Sequence, residues 1–458
     1  MYGSEYIRDL FQYFRNKVLT GMGAERDFLR LLDDGDVTAA IGMMEDREED
    51  VDNAIREYNP QTHGIMKRPN KRTSKDFYET CKLPRARQRY INEVELFFLL
   101  GKPVRWKREE GSDAAFSLFS DFVRESRFDA LMREAKRLAG AETESAKVYH
   151  LYREGDVPRI RALVISRSKG YRLRPLFDEY GNLMAFAWGY TTRRGGRTTE
   201  HWDVQTKDLM YRCVRRNLSW EVGKYPNPTG KLNVIYYRQR KAWEGLERRL
   251  EREEELDSKV GDANNYFADP IAAASADVIN SMVDPAKPGK LIQLTGSSSK
   301  FEYINPPSSS STRDAEKAEL EKSILFDSFT PNLDFEHMRG LGSLSGVAVR
   351  NAMILGFIKA DNYKEIYEDL VDRDKNVIIG ILKFLHPDME EELSALRVSF
   401  SFSSPFEDDR QEMWSSITAL RSAGLISLER AVEMLGLTGA PEQEVEKIRA
   451  EAAAMEAQ

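Results

Sequence analysis

Three stretches bring together residue types that could do chemistry. Asp129, Glu134, Ala135 and Lys136 form a carboxylate-x-lysine set with an acid ahead of it, the arrangement with which nucleases hold a metal and a water. The set falls in a helical pattern rather than on strands, and such tripeptides arise by chance in a chain that is 31% charged. Arg339 to Phe357, RGLGSLSGVAVRNAMILGF, crowds glycines ahead of an apolar run, and glycine turns opening onto helices can cradle phosphates. The detail argues against a nucleotide. A P-loop needs GxxxxGK[ST], whereas Gly101-Lys102, Gly223-Lys224, Gly230-Lys231 and Gly289-Lys290 are followed by Pro, Tyr, Leu and Leu. A dinucleotide fingerprint needs a strand before its glycines, and polar TPNLDFEHMR stands there instead. Lys67, Arg68, Lys71, Arg72 and Lys75 crowd a turn-rich segment that either touches phosphates or is a solvated loop.

Other chemistries are excluded more simply. His63, His150, His201, His337 and His386 are scattered, with no HExxH and no Cys/His spacing, so neither a metal nor a cofactor is expected. Cys81 and Cys213 form no pattern, which suits a reducing compartment. No GxSxG elbow occurs, and Glu251 to Glu255 read as a solvated face or ion pairs. The net charge of −7 argues against coating nucleic acid through bulk charge, though local basic patches remain open. Glu5, Arg8 and Asp9 interrupt any signal-peptide core, and no run of eighteen apolar residues occurs, so a soluble intracellular protein without a membrane span is expected. A long chain without an active site points to a protein whose function is its shape.

The elements that would position these residues follow from periodicity. The 458 residues should form several subdomains of an α+β fold. Residues 1 to about 58 read as helical, QRYINEVELFFLL as a buried helix stopped by Gly101 and Pro103, and 113–140 as a helical pair. From Ala146 to Arg238 short β-rich runs alternate with turns at Asp178–Asn182, Gly195-Gly196 and Asn227–Gly230, an antiparallel meander. A charge-laced helix runs from Lys241 to Asp269-Pro270 with a stripe from Trp243 to Phe267. Two short strands, 291–295 and 300–304, and a Pro-Pro-Ser linker precede a helix over 313–329. After the glycine loop, with Ser345 as N-cap, a long helix reaches His386-Pro387. ALRVSFSFSS then alternates as a strand that must pair with the earlier β region, and a helical hairpin turning at Gly424 and restarting at Ser427 leads into an acidic helical tail.

The order of these parts resembles the portal proteins of tailed bacteriophages over most of the chain. YNPQTHGIMKRPNK and KLPRARQRYINEVELFFLLGKPV look like the family's N-terminal pattern, and HWDVQTKDLMYRC with NPTGKLNVIYYRQ is similar to its β-rich middle. LEREEELDSKVGDANNYFADP resembles its first stem helix, GLGSLSGVAV its glycine-rich loop, and RSAGLISLERAVEMLG its C-terminal hairpin. The resemblance implies a portal fold with a β-rich wing over residues 1–239 and 387–404, stem helices over 240–270 and 313–329, and a small αβ clip over 271–312. It implies a tunnel loop over 330–345, a long wing helix over 346–386 and a helical crown over 405–458; the short tail EAAAMEAQ implies a small crown. Asp334, Glu336, His337, Arg339, Gly340, Gly342, Ser343 and Gly346 would then face DNA in the channel, and Leu291, Gln293, Lys300 and Glu302 would meet the connector. The implied assembly is a homododecameric ring at one capsid vertex of the virion, assembled in the host bacterial cytoplasm. Its implied partners are double-stranded DNA, terminase, scaffolding and major capsid proteins, and head-to-tail connector proteins. The alternatives are an enzyme acting on nucleic acid through Asp129, Glu134 and Lys136, and a helical scaffold or adaptor without a channel.

Overall fold

The computed structural model describes residues 24–72, 77–155, 157–217, 219–268, 272–275, 300–303, 310–335, 338–339, 346–403, 410–436 and 441–456. It opens with helices α1 (Ala24–Asp33), α2 (Val37–Gly42) and α3 (Glu48–Tyr58). A two-stranded ribbon, β1 (Lys71–Arg72) with β2 (Phe77–Tyr78), leads to α4 (Arg87–Leu100), strand β3 (Arg105–Glu110), and the pair α5 (Asp113–Glu125) and α6 (Phe128–Glu142). Ser112 caps α5 by accepting from the Ala115 amide.

The β region forms two antiparallel sheets. Strands β4 (Glu144–Glu154) and β5 (Val157–Ile165) are followed by β6 (Arg172–Phe177), β7 (Leu183–Arg194), β8 (Arg197–Thr206), β9 (Leu209–Arg216), β10 (Ser219–Pro226) and β11 (Val234–Arg238). Strands β6 to β10 make an up-and-down sheet, and β11-β4-β5 makes the other. The expected turns connect them. Asp178 accepts from the Tyr180 and Asn182 amides, and Gly195 and Gly196 take φ of +56° and +80°, as a two-residue hairpin turn demands. Strand β10 carried no strong signal because Gly223 and Lys224 break its alternation; as an edge strand it tolerates Pro226 at its end.

Helix α7 (Glu247–Ala268) begins later than Lys241. Gly245 sits at φ +82°, a conformation no right-handed helix continues through. Asp269-Pro270 lie outside the described residues. Strand β12 (Ala272–Ser275) pairs with β13 (Lys300–Tyr303). The strand expected at 300–304 is therefore present, with a polyalanine run as its described partner; 291–295 lie outside the description. Helix α8 (Ser310–Asp327) packs against α7. The long helix is two pieces, α9 (Gly346–Ala352) and α10 (Ile354–Leu385), separated where Met353 leaves helical geometry. After α11 (Glu390–Ala395), β14 (Arg397–Ser401) pairs with β3 rather than with the meander. Helices α12 (Arg410–Ser422), α13 (Leu428–Leu435, capped by Ser427) and α14 (Pro441–Glu456) close the chain, with Gly424 at φ +72° making the first turn.

The main core lies where α4, α5, α6 and α10 meet β4 and β11, around Phe119, Phe128, Tyr149, Tyr237, Tyr367 and Ile381. A second cluster packs α1 and α2 on one face of the five-stranded sheet, and a third fills the space between the two sheets. Trp243, Leu246 and Leu250 join Ile91 and Ile324, so the start of α7 is held by α4 and α8 together.

Candidate functional site

The glycine-rich loop leaves and re-enters the fold beside α4. Tyr90 on that helix ties the departing strand twice: its hydroxyl donates to the Pro331 carbonyl at 2.7 Å and accepts from the Leu333 amide at 2.9 Å. One turn further on, Glu95 is fully buried and receives Lys136 from α6 and Lys359 from α10, with Gln239 donating at 3.2 Å. Lys359 is held loosely, 3.4 Å from the Ile91 carbonyl, 3.4 Å from the Thr330 hydroxyl and 3.5 Å from Glu95. One carboxylate thus serves two buried ammonium groups at the foot of the loop. Burial works to raise the Glu95 pKa, but the two lysines outweigh it and hold the carboxyl below its usual range. Burial, with Lys136 as a like charge, lowers Lys359 to about 8 against the pull of Glu95.

Among the loop residues nominated from sequence, Asp334 is exposed and exchanges hydrogen bonds with Asn332 in a tight turn, and Arg339 is exposed. Phe335 beside them is 80% exposed, a large apolar ring in water. Gly346 starts α9. Glu336, His337, Gly340, Gly342, Ser343 and Ser345 lie outside the described residues, as do Leu291 and Gln293. Lys300 stands opposite Ser275 and Glu302 opposite Ala273 in the β12–β13 ribbon.

The carboxylate-x-lysine set does not come together as a nuclease would need. Lys136 is sequestered by Glu95, Glu134 turns out to pair with Lys169 at 2.5 Å, and Asp129 caps the Val104 amide at 2.9 Å. No group of three acidic, histidine or cysteine side chains placed to hold a metal occurs among the described residues. The basic cluster divides as well. Arg68 donates to the Cys81 carbonyl and pairs with Asp262 of α7 at 2.6 Å, Lys67 is exposed, and Lys75 lies outside the description.

The ion pairs read as one alternative for Glu251 to Glu255 are present and belong to a longer seam whose partners and burial sequence reasoning missed. Leu250, Glu253, Glu254 and Asp257 follow one stripe of α7 that is apolar at its start and acidic further on. Glu253 is buried and takes Arg85 and Arg87; Asp257 takes Arg85 and Lys317; Arg87 also reaches Glu321 of α8. His63 donates from Nδ1 to Glu254 at 2.6 Å and from Nε2 to the Glu57 carbonyl at 2.7 Å. Two acceptors on one ring call for the imidazolium, and these contacts raise the His63 pKa despite burial. The period that marked Leu250 also carried these acids; their polarity concealed that the same face is buried.

A family model described as phage portal protein, SPP1 Gp6-like, matches residues 11–457. Among solved structures, the chain is similar to a chain from the neck of a native gene transfer agent particle computed with C12 symmetry, at 12% identity, TM-score 0.43, covering 77% of this chain and 91% of that one. It is similar to a chain from the virion of a native gene transfer agent particle at 13% identity and TM-score 0.41, covering 79% and 96%. A chain from the neck of the empty particle, computed with C6 symmetry, gives 14%, 0.42, 79% and 96%. No curated protein matches.

Proposed function

Because the chain belongs to the SPP1 Gp6-like phage portal protein family, its role is that of a structural portal, and we propose that copies of it close into a homododecameric ring at one capsid vertex, through which double-stranded DNA passes. The observation that carries the ring is the state of α7 and α8. Their shared side is fastened by Arg249–Asp327 and Arg252–Glu316, and the inner face of α7 is locked to α4 and the segment before it. Phe326 nonetheless stays 64% exposed at the end of α8, a face that a neighbouring copy would cover in a ring of head-to-tail contacts.

In this reading residues 1–239 and 387–404 are the wing, 240–270 and 313–329 the stem, 271–312 the clip, 346–386 the long wing helix and 405–458 the crown. Residues 330–345 are the tunnel loop, with Asp334, Glu336, His337, Arg339 and Ser343 toward the DNA and Gly340, Gly342 and Gly346, DNA-facing as well, giving the backbone freedom to bend. Terminase docks during packaging, and connector proteins later meet the clip at Leu291, Gln293, Lys300 and Glu302; scaffolding and major capsid proteins are the remaining partners. The test is the mass and symmetry of the purified protein, by light scattering and averaged electron micrographs. Rings of about a dozen subunits with a central hole are expected; a monomer at high concentration, and still a monomer with scaffolding protein present, overturns the reading.

A further inference from the structure

The five-stranded sheet turns one face toward β4, and part of that face stays unfilled. Register places Trp188, Asp203, Arg212 and Gly223 in one row across β7 to β10, and Phe186, Gln205, Met210 and Tyr225 in the next. Where Val148 and His150 of β4 pass over these rows, a slot of about 240 Å³ opens. Its polar groups are poorly served. Asp203 and Arg212 stand directly opposite one another, yet no ion pair joins them. Asp203 receives a long hydrogen bond, 3.4 Å from the Tyr190 hydroxyl, and Arg212 is exposed with its guanidinium 6.0 Å above the Tyr225 ring. Gln205 is 3% exposed, and its Oε1 has no partner. A buried carbonyl in that state needs a donor. Gly223 lets the Tyr225 ring lie across its own strand, because a Cβ there would stand 3.0 Å from that ring.

The slot therefore presents a donor, an acceptor and an acceptor, from Arg212, Asp203 and Gln205, between apolar walls of Trp188, Met210 and Tyr225. Its complement is a flat ring bearing acceptor, donor and donor along one edge. Guanine has that edge: O6, N1–H and the N2 amino group. Adenine offers a donor and then an acceptor. Cytosine offers a donor and then two acceptors. Thymine places its O2 against the Gln205 carbonyl. We propose that this slot binds a guanine base, with O6 on Arg212, N1–H on Asp203 and the N2 amino group on Gln205, stacked against Trp188. Aromatic faces of this kind hold unpaired bases. The base comes either from a free guanosine nucleotide or from an unpaired guanine in single-stranded DNA.

Calorimetry on the full chain with GMP, IMP and AMP tests the assignment, because IMP keeps the ring and loses only the N2 amino group. GMP should bind at least about tenfold more tightly than either of the others, and Asp203→Asn or Gln205→Met should bring GMP down toward the AMP level. Quenching of tryptophan fluorescence by GMP should accompany binding, through Trp188. A thymidine oligonucleotide carrying one guanine, but not one carrying none, should displace GMP if the polymer is the source; failure of both to displace it assigns the free nucleotide. Equal affinities for the three nucleotides on the unaltered protein, or no heat from GMP at ~1 mM, overturns the proposal whether or not the variants fold.

Discussion

At the scale of single residues, buried charge sets what can be changed. Glu95 neutralises two ammonium groups that pair with no other carboxylate among the described residues, so Glu95→Gln strands both. Breaking a buried pair in this way costs about 3–5 kcal/mol, and the loss should appear as a lower denaturant midpoint. Adding Lys359→Met to that variant should recover part of the loss, a non-additivity that separates an electrostatic cause from a packing one. His63 gives a pH dependence of definite sign. Its folded pKa lies above the usual 6.5, so the contact with Glu254 contributes fully below 6.5 and is lost as pH rises through the raised value. Lys359 runs the other way: its folded value of about 8 lies below 10.5, and its burial penalty is relieved as pH climbs between the two. The difference between the unaltered chain and His63→Gln isolates the histidine. Followed by urea unfolding from about pH 6 to about pH 9, that difference should shrink steadily, and a difference independent of pH refutes the imidazolium.

At the scale of elements, close approach decides where glycine is needed. In α10 a Cβ on Gly356 would stand 2.4 Å from the Phe98 ring of α4, which is itself wedged against Phe357 and Met353. Helix propensity favours alanine by about 1 kcal/mol, but overpacking a closed contact costs about 1–3 kcal/mol, so Gly356→Ala should lower the melting temperature. Gly42 in α2 has nothing within 4 Å of the same position, and Gly42→Ala should leave the melting temperature unchanged or raise it. Periodicity revealed most elements, because their apolar residues recur at the helix or strand spacing that the core clusters bury. It missed β3, whose RWKREE is charged at its exposed positions while Trp106 packs on Phe119 and Phe128, and it started α7 early because the stripe through Trp243 continues across a left-handed glycine. The candidate site was less legible than the fold. The glycine loop was marked by composition, but its anchors, Tyr90, Glu95 and Lys359, come from helices far apart in sequence, and no local pattern announces a contact across 240 residues or more, such as that between Tyr90 and Pro331.

At the scale of the whole molecule, the chain keeps apolar rings in water where one copy alone gains nothing from them. Phe326 and Phe335 are 64% and 80% exposed, and Phe329 between them is 40% exposed at φ +50°. A bulky side chain in that left-handed region costs about 1–2 kcal/mol, which the backbone hydrogen bonds closing the end of α8, Phe329 amide to Phe326 carbonyl and Thr330 amide to Leu325 carbonyl, offset. Covered by a neighbour, each ring would instead contribute roughly 1.5–3 kcal/mol through burial, repeated at every joint of a closed ring. Phe326→Asp places a charge where that cover would sit. The subunit should fold as before, since Phe326 supports none of the core clusters among the described residues, and its circular dichroism and melting should match the unaltered chain. The assembled mass in light scattering should fall toward that of the single copy. Rings of unchanged mass from Phe326→Asp, and again from Phe335→Asp, would move the joint between copies away from the end of α8 and the foot of the loop, and onto the outer flanks of the α7–α8 pair.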